Sequence, residues 1–287
     1  MRTRTLAAAV IALVGAIAAC GDGNDDGRSP TAKTDSSSAA APSRNELDHV
    51  VKIERDRGLY VRCSGRGSPT VILEGGDDDT SDSYAFAEPA VSKVTRACVY
   101  DRANLGRSDP APGPRGLAEL VGDLEQLLQA AKIPGPYLLV GTSGGGYITA
   151  GYAYAHPRQV AGMVFVEVAA PFRNPPREIV EETDPDNPAN VEKRDYLQVE
   201  KDAWNARTRI GDIPVTIITD EPSAATIGEA QFPSERRGMR RNVADQKGWL
   251  VLSPRAEQIV VDSGHAVEEE DPELVVDLIL DAVREAR

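Results

Sequence analysis

Ser143 stands at the centre of a Gly-x-Ser-x-Gly sequence formed by residues 141–145. An apolar run, 137–140, precedes this sequence directly, and a helical pattern begins at Gly145. A serine on a tight strand-to-helix turn exposes its hydroxyl, and small neighbours let the strand and the helix pass close to it. The Gly144 N–H and the helix N-terminus then favour negative charge on a substrate oxygen. The pattern predicts that Ser143 is a nucleophile.

A serine nucleophile needs a general base, and the chain contains three histidines. His265 follows the apolar run 258–261 and precedes the final helical pattern, which predicts a position at the carboxyl end of a strand. His156 ends the helical pattern after the serine, where a capping role is expected. His49 lies at the N-terminal edge of the folded region. We therefore predict that His265 is the general base.

A carboxylate that orients the imidazole should lie between Ser143 and His265 in the chain. Glu167 and Asp220 each directly follow an apolar run, so both are predicted to lie at carboxyl ends of strands. Either could instead be a solvated or helix-capping acid. The residue pattern alone leaves both candidates open.

Short apolar runs alternate with helical patterns, and this alternation would position the three side chains. The runs lack polar alternation, which is typical of strands buried on both faces of a parallel sheet. The predicted strands are 50–54, 59–63, 71–73, 98–100, 137–140, 163–166, 215–219 and 258–261, and the predicted helices are 84–94, 116–131, 145–155 and 272–284. The pattern predicts a doubly wound α/β fold with ligands beyond the carboxyl ends of the strands.

The pattern of the first 45 residues indicates an export signal and a tether rather than a folded domain. Arg2 and Arg4 precede an apolar run that stops at Cys20, which is typical of a signal peptide over 1–19. Residues 17–20 resemble a bacterial lipoprotein cleavage box, which would make Cys20 a lipidated N-terminus; an ordinary secretory signal and a poor transmembrane anchor are the alternatives. Residues 20–45 lack large apolar side chains and are expected to be a flexible tether. We expect an extracytoplasmic protein, anchored by this lipid alone to the outer face of the bacterial cell membrane, or secreted.

Composition excludes several other classes of protein. The chain of 287 residues carries 32 basic and 45 acidic side chains, a net charge of −13, so nucleic acid is an unexpected partner. Apolar residues make up 41% of the chain, which is enough for a sizeable core. Three cysteines are too few for a disulfide scaffold or a structural zinc site, and no metal site is predicted.

Residues 47–287 resemble the α/β-hydrolase-fold serine hydrolases. The resemblance rests on residues 70–76, on 100–109, on the Gly-x-Ser-x-Gly sequence and on Ser263-Gly264-His265. It implies an eight-stranded, mostly parallel sheet flanked by helices, a Ser-acid-His triad, a small-molecule acyl or ester substrate and no cofactor. Haloalkane-dehalogenase-like members carry the acid after the sixth strand, which favours Glu167 and leaves Asp220 as the alternative. The Asp nucleophile of dehalogenases and epoxide hydrolases is replaced here by Ser143.

The resemblance also implies a second oxyanion donor, the backbone N–H of Asp77, beside that of Gly144. Asp77 begins an acidic run, 77–79, and carboxylates near a developing oxyanion would oppose catalysis unless they point away from it. A solvated loop is one interpretation of the run. Selection of cationic substrates, or binding of a cation, is the other.

Two further features follow from the resemblance. Cys63 and Cys98 fall on strands that are neighbours in this fold, and an exported chain meets an oxidising compartment, so a disulfide between them is expected; two buried free thiols are the alternative. Residues 171–211 are too long for a simple crossover and are expected to form a small cap insertion in the domain 46–287, with a helix over 191–205. We expect hydrolysis of a carboxylic ester or related acyl bond through an acyl-enzyme. The alternatives are a peptidase or acyltransferase, and a catalytically silent lipoprotein that binds a ligand or partner.

Overall fold

A computed structural model describes residues 46–54, 57–171, 184–230 and 233–287. Eight strands form one sheet in the order β1-β2-β4-β3-β5-β6-β7-β8. Strands β1 and β2 pair antiparallel, β2 pairs antiparallel with β4, and every other pairing is parallel. The strands are β1 Leu47–Lys52, β2 Gly58–Ser64, β3 Thr70–Glu74, β4 Ala97–Tyr100, β5 Tyr137–Thr142, β6 Val160–Val166, β7 Val215–Asp220 and β8 Ala256–Val261. The predicted α/β fold with a mostly parallel sheet is confirmed.

Both faces of the central strands are buried, which explains the continuous apolar runs. Every residue of β3, β5 and β7 is buried. Along β5, Tyr137 and Leu139 pack into one hydrophobic cluster, whereas Leu138 and Val140 pack into a second cluster on the opposite face. Successive side chains of a strand point to opposite faces, so each face needs its own layer of helices.

The helices that form these layers are α1 Glu88–Val91, α2 Leu117–Ala130, α3 Gly145–Ala155, α4 Tyr196–Ala206, α5 Ala224–Glu229, α6 Pro233–Gln246, α7 Val267–Glu270 and α8 Pro272–Glu285. Helix α2 buries one face, which carries Leu117, Leu120, Leu124, Leu127 and Leu128. Helices α2, α3 and α4 pack against one another, and α8 packs against β5, β6 and β7. Among the described residues, no helix combines the length and the apolar character needed to cross a bilayer.

Two helix predictions need correction. The predicted helix 84–94 is wrong: a 3-10 turn, Ser81–Tyr84, is followed by the single turn α1. Pro89 lies in the first turn of α1, and a proline cannot continue a helix that enters from residue 84. The helix expected over 191–205 begins only at Tyr196, because Asp195 caps it by accepting a hydrogen bond from the Gln198 N–H. Helices α5 and α6 were not predicted.

A disulfide links Cys63 of β2 to Cys98 of β4. The two cysteines are directly opposite each other in the antiparallel pairing of these strands. Both side chains are buried, and the two cysteines are 35 positions apart in the sequence. It therefore ties the antiparallel edge of the sheet to its parallel centre.

Candidate active site

Ser143 lies on the tight turn between β5 and α3, with a φ of +45°. A non-glycine residue in this region is strained and needs support from its surroundings. The Ser143 N–H supplies part of that support by donating to the Val166 carbonyl at 2.9 Å. A Cβ on Gly145 would lie 2.1 Å from the Gly75 carbonyl oxygen, so only glycine lets the helix start this close to β3.

The loop after β3 runs beside Ser143. A Cβ on Gly76 would lie 3.5 Å from the Ser143 Cβ. The Gly76 carbonyl accepts a hydrogen bond of 2.5 Å from Arg102 Nη2, and in a trans peptide the adjoining Asp77 N–H points the opposite way. The N–H groups of Asp77 and Gly144 donate to no acceptor among the described residues. Two backbone donors next to the serine are therefore available to an oxyanion.

The imidazole of His265 contacts Glu167: its Nδ1 lies 3.1 Å from Glu167 Oε2. Glu167 is 3% exposed, whereas the His265 side chain is 72% exposed. The hydrogen bond with Glu167 raises the pKa of His265, although burial of part of the ring opposes this shift. Ser143 Oγ makes no hydrogen bond to His265, although the structure describes both residues. Such bonds are commonly long or absent before substrate binds.

The Glu167 carboxylate has further donors that hold its orientation. Its Oε1 accepts the Asp220 N–H at 2.5 Å and Gln246 Nε2 at 3.0 Å. Asn242 Nδ2 lies 3.1 Å from Oε2. Asn242 and Gln246 are one turn apart on α6, a helix that the sequence did not predict, so neither was a candidate site residue. Their i,i+4 spacing on one face was the available signal.

Asp220 lies at the carboxyl end of β7, next to Glu167, but its side chain has different partners. Asp220 Oδ1 accepts the N–H groups of Ser263 and Gly264, at 3.1 and 2.8 Å. It therefore holds the loop that carries His265 rather than the imidazole itself. Of the two carboxylates that the sequence left open, Glu167 is the one in hydrogen-bond contact with the histidine.

Buried charges surround the loop after β3. Arg102 is 4% exposed and donates to Glu74 Oε1 and to Glu192 Oε2, each at 2.7 Å. Burial disfavours the charged form of Glu192, but Arg194 and Arg102 outweigh it and lower the pKa of Glu192 to about 2. Glu192 therefore stays ionised between two arginines throughout the physiological pH range.

In the acidic run 77–79, Asp77 and Asp78 are exposed, as expected of a solvated loop, but Asp77 and Asp79 also have partners within the protein. The Asp77 carboxylate forms an ion pair with Arg194, and Asp79 Oδ2 accepts the Gly76 N–H at 2.8 Å. Burial raises the pKa of Asp79. The described part of the chain contains no cluster of three His, Cys, Asp or Glu side chains that could hold a metal ion. Asp77 and Asp79 are thus engaged within the loop and the neighbouring insertion.

Comparisons with known proteins agree with this architecture. A family model described as alpha/beta hydrolase fold matches residues 69–218. A structure of a putative lipase from Acinetobacter baumannii covers 84% of this chain and 92% of its own, with a TM-score of 0.65 and 14% sequence identity. Identity this low shows the fold alone.

Two curated proteins are similar in sequence. The probable transporter efuK of Hormonema carpetanum is 34% identical over 125 residues, which cover 41% of this chain and 18% of that protein. The uncharacterized protein YqjL of Bacillus subtilis is 22% identical over 207 residues, covering 71% of this chain and 82% of that protein. This chain thus spans under a fifth of the first relative and most of the second.

Proposed function

The chain belongs to the α/β-hydrolase fold family, and from that membership we propose that it is a serine hydrolase that cleaves a carboxylic ester or a related acyl bond. The fold supports a hydrolytic function. The finer assignment is supported by one observation above all: Glu167, after β6, forms a hydrogen bond with His265, after β8, beyond the same edge of the sheet as the strained turn at Ser143.

The proposed reaction has two steps. Ser143 Oγ attacks the substrate carbonyl while His265 takes the hydroxyl proton, and Glu167 stabilises the imidazolium that forms. The N–H groups of Gly144 and Asp77 hold the oxyanion of the tetrahedral intermediate. Collapse of this intermediate breaks the acyl–oxygen bond, and His265 returns its proton to the departing alcohol.

Water then completes the reaction. His265 removes a proton from a water molecule that attacks the acyl-enzyme, and the second intermediate collapses to release the carboxylic acid and restore Ser143. A neighbouring structure is a putative lipase, and others are a thermophilic esterase from Thermogutta terrifontis and a putative acyltransferase from Salmonella enterica. These neighbours support an acyl substrate. Adding an alcohol or amine acceptor separates a hydrolase from an acyltransferase, because only an acyltransferase forms the transfer product in preference to the acid.

A fluorophosphonate probe tests the proposal. We expect covalent labelling of the wild type at Ser143, with p-nitrophenyl ester hydrolysis lost in parallel with labelling. Ser143→Ala should abolish both, and Ser92→Ala, which deletes one hydroxyl on the connection after α1, should abolish neither. A wild type that unfolds cooperatively but is neither labelled nor active on esters of any acyl length would refute the assignment and favour a binding module.

We further propose that the enzyme is exported and held at the membrane by a lipid on Cys20. Cys20 and the whole N-terminal stretch lie outside the described residues, so the proposal rests on the sequence pattern alone. Growth with an alkyne-tagged fatty acid should label the wild type and leave Cys20→Ser unlabelled. Equal labelling of both forms would contradict lipidation at this residue.

A further inference from the structure

One guanidinium contacts both residues whose amides form the proposed oxyanion site. Arg194 Nη1 donates to Asp77 Oδ1 and, at 3.3 Å, to the Gly144 carbonyl. Arg194 is completely buried and precedes α4 in the insertion between β6 and β7, 117 residues along the chain from Asp77. A side chain of the insertion thus reaches the core of the site.

Neighbouring residues hold Arg194 in this position. Arg194 Nη2 lies 3.2 Å from both carboxylate oxygens of Glu192. Asn190 accepts the Arg194 N–H at 3.1 Å and donates to the Arg194 carbonyl at 2.8 Å, so the backbone of this residue is held as well. Glu192 also accepts the Asp78 N–H at 2.9 Å. The insertion therefore binds the loop at two consecutive residues.

The Asp77 carboxylate lies close to where negative charge would develop. A Cβ on Gly144 would be only 1.9 Å from Asp77 Oδ1, which means that the carboxylate packs directly against the Gly144 backbone. An unpaired carboxylate here would repel an oxyanion bound by the Gly144 and Asp77 N–H groups. The completely buried Arg194 guanidinium supplies the opposite charge, although the Asp77 side chain is 35% exposed and solvent screens the pair in part.

We propose that Arg194 is a positioning residue for oxyanion stabilisation. It holds the Asp77 carboxylate against Gly144 and cancels its charge, so that the Asp77 amide can act as a donor. The inference rests on the proposed function, because it concerns the transition state of that reaction. It also explains how an acidic residue can follow Gly76 in a site that stabilises negative charge.

Arg194→Met tests the inference because it removes the charge and keeps much of the volume. We expect kcat on p-nitrophenyl esters to fall about 100-fold, similar to loss of one oxyanion donor, while KM changes little. Arg158→Met removes an exposed arginine and should leave kcat within about twofold, as surface changes usually do. Thermal unfolding followed by circular dichroism verifies that each variant is folded.

Repeating the substitution in an Asp77→Asn variant distinguishes charge cancellation by Arg194 from a merely structural role. In the Asp77→Asn background there is no carboxylate to neutralise, so adding Arg194→Met should lower kcat by less than about fivefold, a non-additivity expected of a contacting pair. If Arg194→Met alone does not fold, Arg194→Lys replaces it. Lysine keeps the positive charge, so kcat should stay within about tenfold of wild type, a smaller loss than removal of the whole ion pair would cause.

Each outcome decides the inference. An equal loss from Arg194→Met in both backgrounds, a loss no larger than that of Arg158→Met, or a folded Arg194→Lys as inactive as a Ser143→Ala variant would overturn it while leaving the serine hydrolase assignment intact. Fluorophosphonate labelling of the wild type is measured first. An unlabelled, folded wild type would overturn the assignment itself, and the inference with it.

Discussion

Substituting Glu167 and Asp220 separately distinguishes the acid that orients the His265 imidazole from the acid that holds the loop carrying His265. Glu167→Gln keeps the shape of the side chain but removes the charge 3.1 Å from His265 Nδ1. Asp220→Asn keeps an oxygen that can still accept from the Ser263 and Gly264 N–H groups. The two variants are matched, since each exchanges one carboxylate for one amide at the end of a neighbouring parallel strand.

The structure sets the expected size of the two effects. Loss of the acid in a buried triad lowers kcat about 10⁴-fold. His265 is 72% exposed, so water screens the Glu167 charge and we expect a smaller loss, of about 10²- to 10³-fold, or ~2.7–4.1 kcal/mol. Asp220→Asn weakens two charge-assisted hydrogen bonds without removing them, so we expect a loss of about tenfold or less.

The assay is ester hydrolysis from pH 5 to 9, with fluorophosphonate labelling rates measured in parallel and unfolding curves as the control for folding. The expected result is a far larger kcat loss for Glu167→Gln than for Asp220→Asn, with similar unfolding midpoints. If Asp220→Asn loses as much as Glu167→Gln or more, then contact distance to the histidine does not identify the acid, and the reasoning is wrong.

Three further predictions concern pH, stability and backbone packing. Glu167 raises the pKa of His265, and only the neutral imidazole accepts a proton. The acid limb of the kcat/KM profile should therefore lie above the ordinary histidine pKa of about 6.5. Glu167→Gln should move this acid limb to lower pH, and an unchanged limb would contradict the prediction. Replacing Cys63 and Cys98 together by alanine should lower the free energy of unfolding in urea by about 4 kcal/mol, since the two cysteines are 35 positions apart; a change under about 1 kcal/mol would refute this. Gly144→Ala should lower kcat by more than about tenfold while the protein stays folded, because the added methyl displaces the Asp77 carboxylate. Unchanged kinetics would contradict this and show that the loop after β3 can move without affecting the reaction.

The fold could be predicted where burial alone determines the pattern. The runs 137–140, 163–166 and 215–219 all lie within strands of the sheet, because strands covered on both faces leave a continuous apolar signal. Helix α6 left no such signal: its sequence is rich in arginine and has few apolar residues. The wrong prediction of a helix over 84–94 is the opposite case: the apolar pattern there is helical, but a proline prevents a continuous helix.

The site residues also differ in how far the sequence alone could identify them. Ser143 is marked by its local turn sequence and His265 by its place after the last strand, so both could be proposed from neighbours in the chain. Glu167 and Asp220 looked equivalent because each simply follows an apolar run. The loop after β8 gives the two carboxylates different partners, His265 for Glu167 and two backbone N–H groups for Asp220, and α6 adds donors to Glu167. Arg194 could not be found, because its partner lies 117 residues away.

The ion pairs of the insertion also bear on how a substrate reaches the serine. Opening the segment away from the loop would separate Arg194 from Asp77 and Glu192 from Arg102, all of which are in contact in the closed form. Arg102, Glu192 and Arg194 are almost completely buried, and a charge that stays buried without its partner costs about 3–5 kcal/mol. These ion pairs therefore oppose movement of this part of the insertion away from the loop. The His265 side chain, by contrast, is 72% exposed, so the imidazole lies on the solvent side of the site.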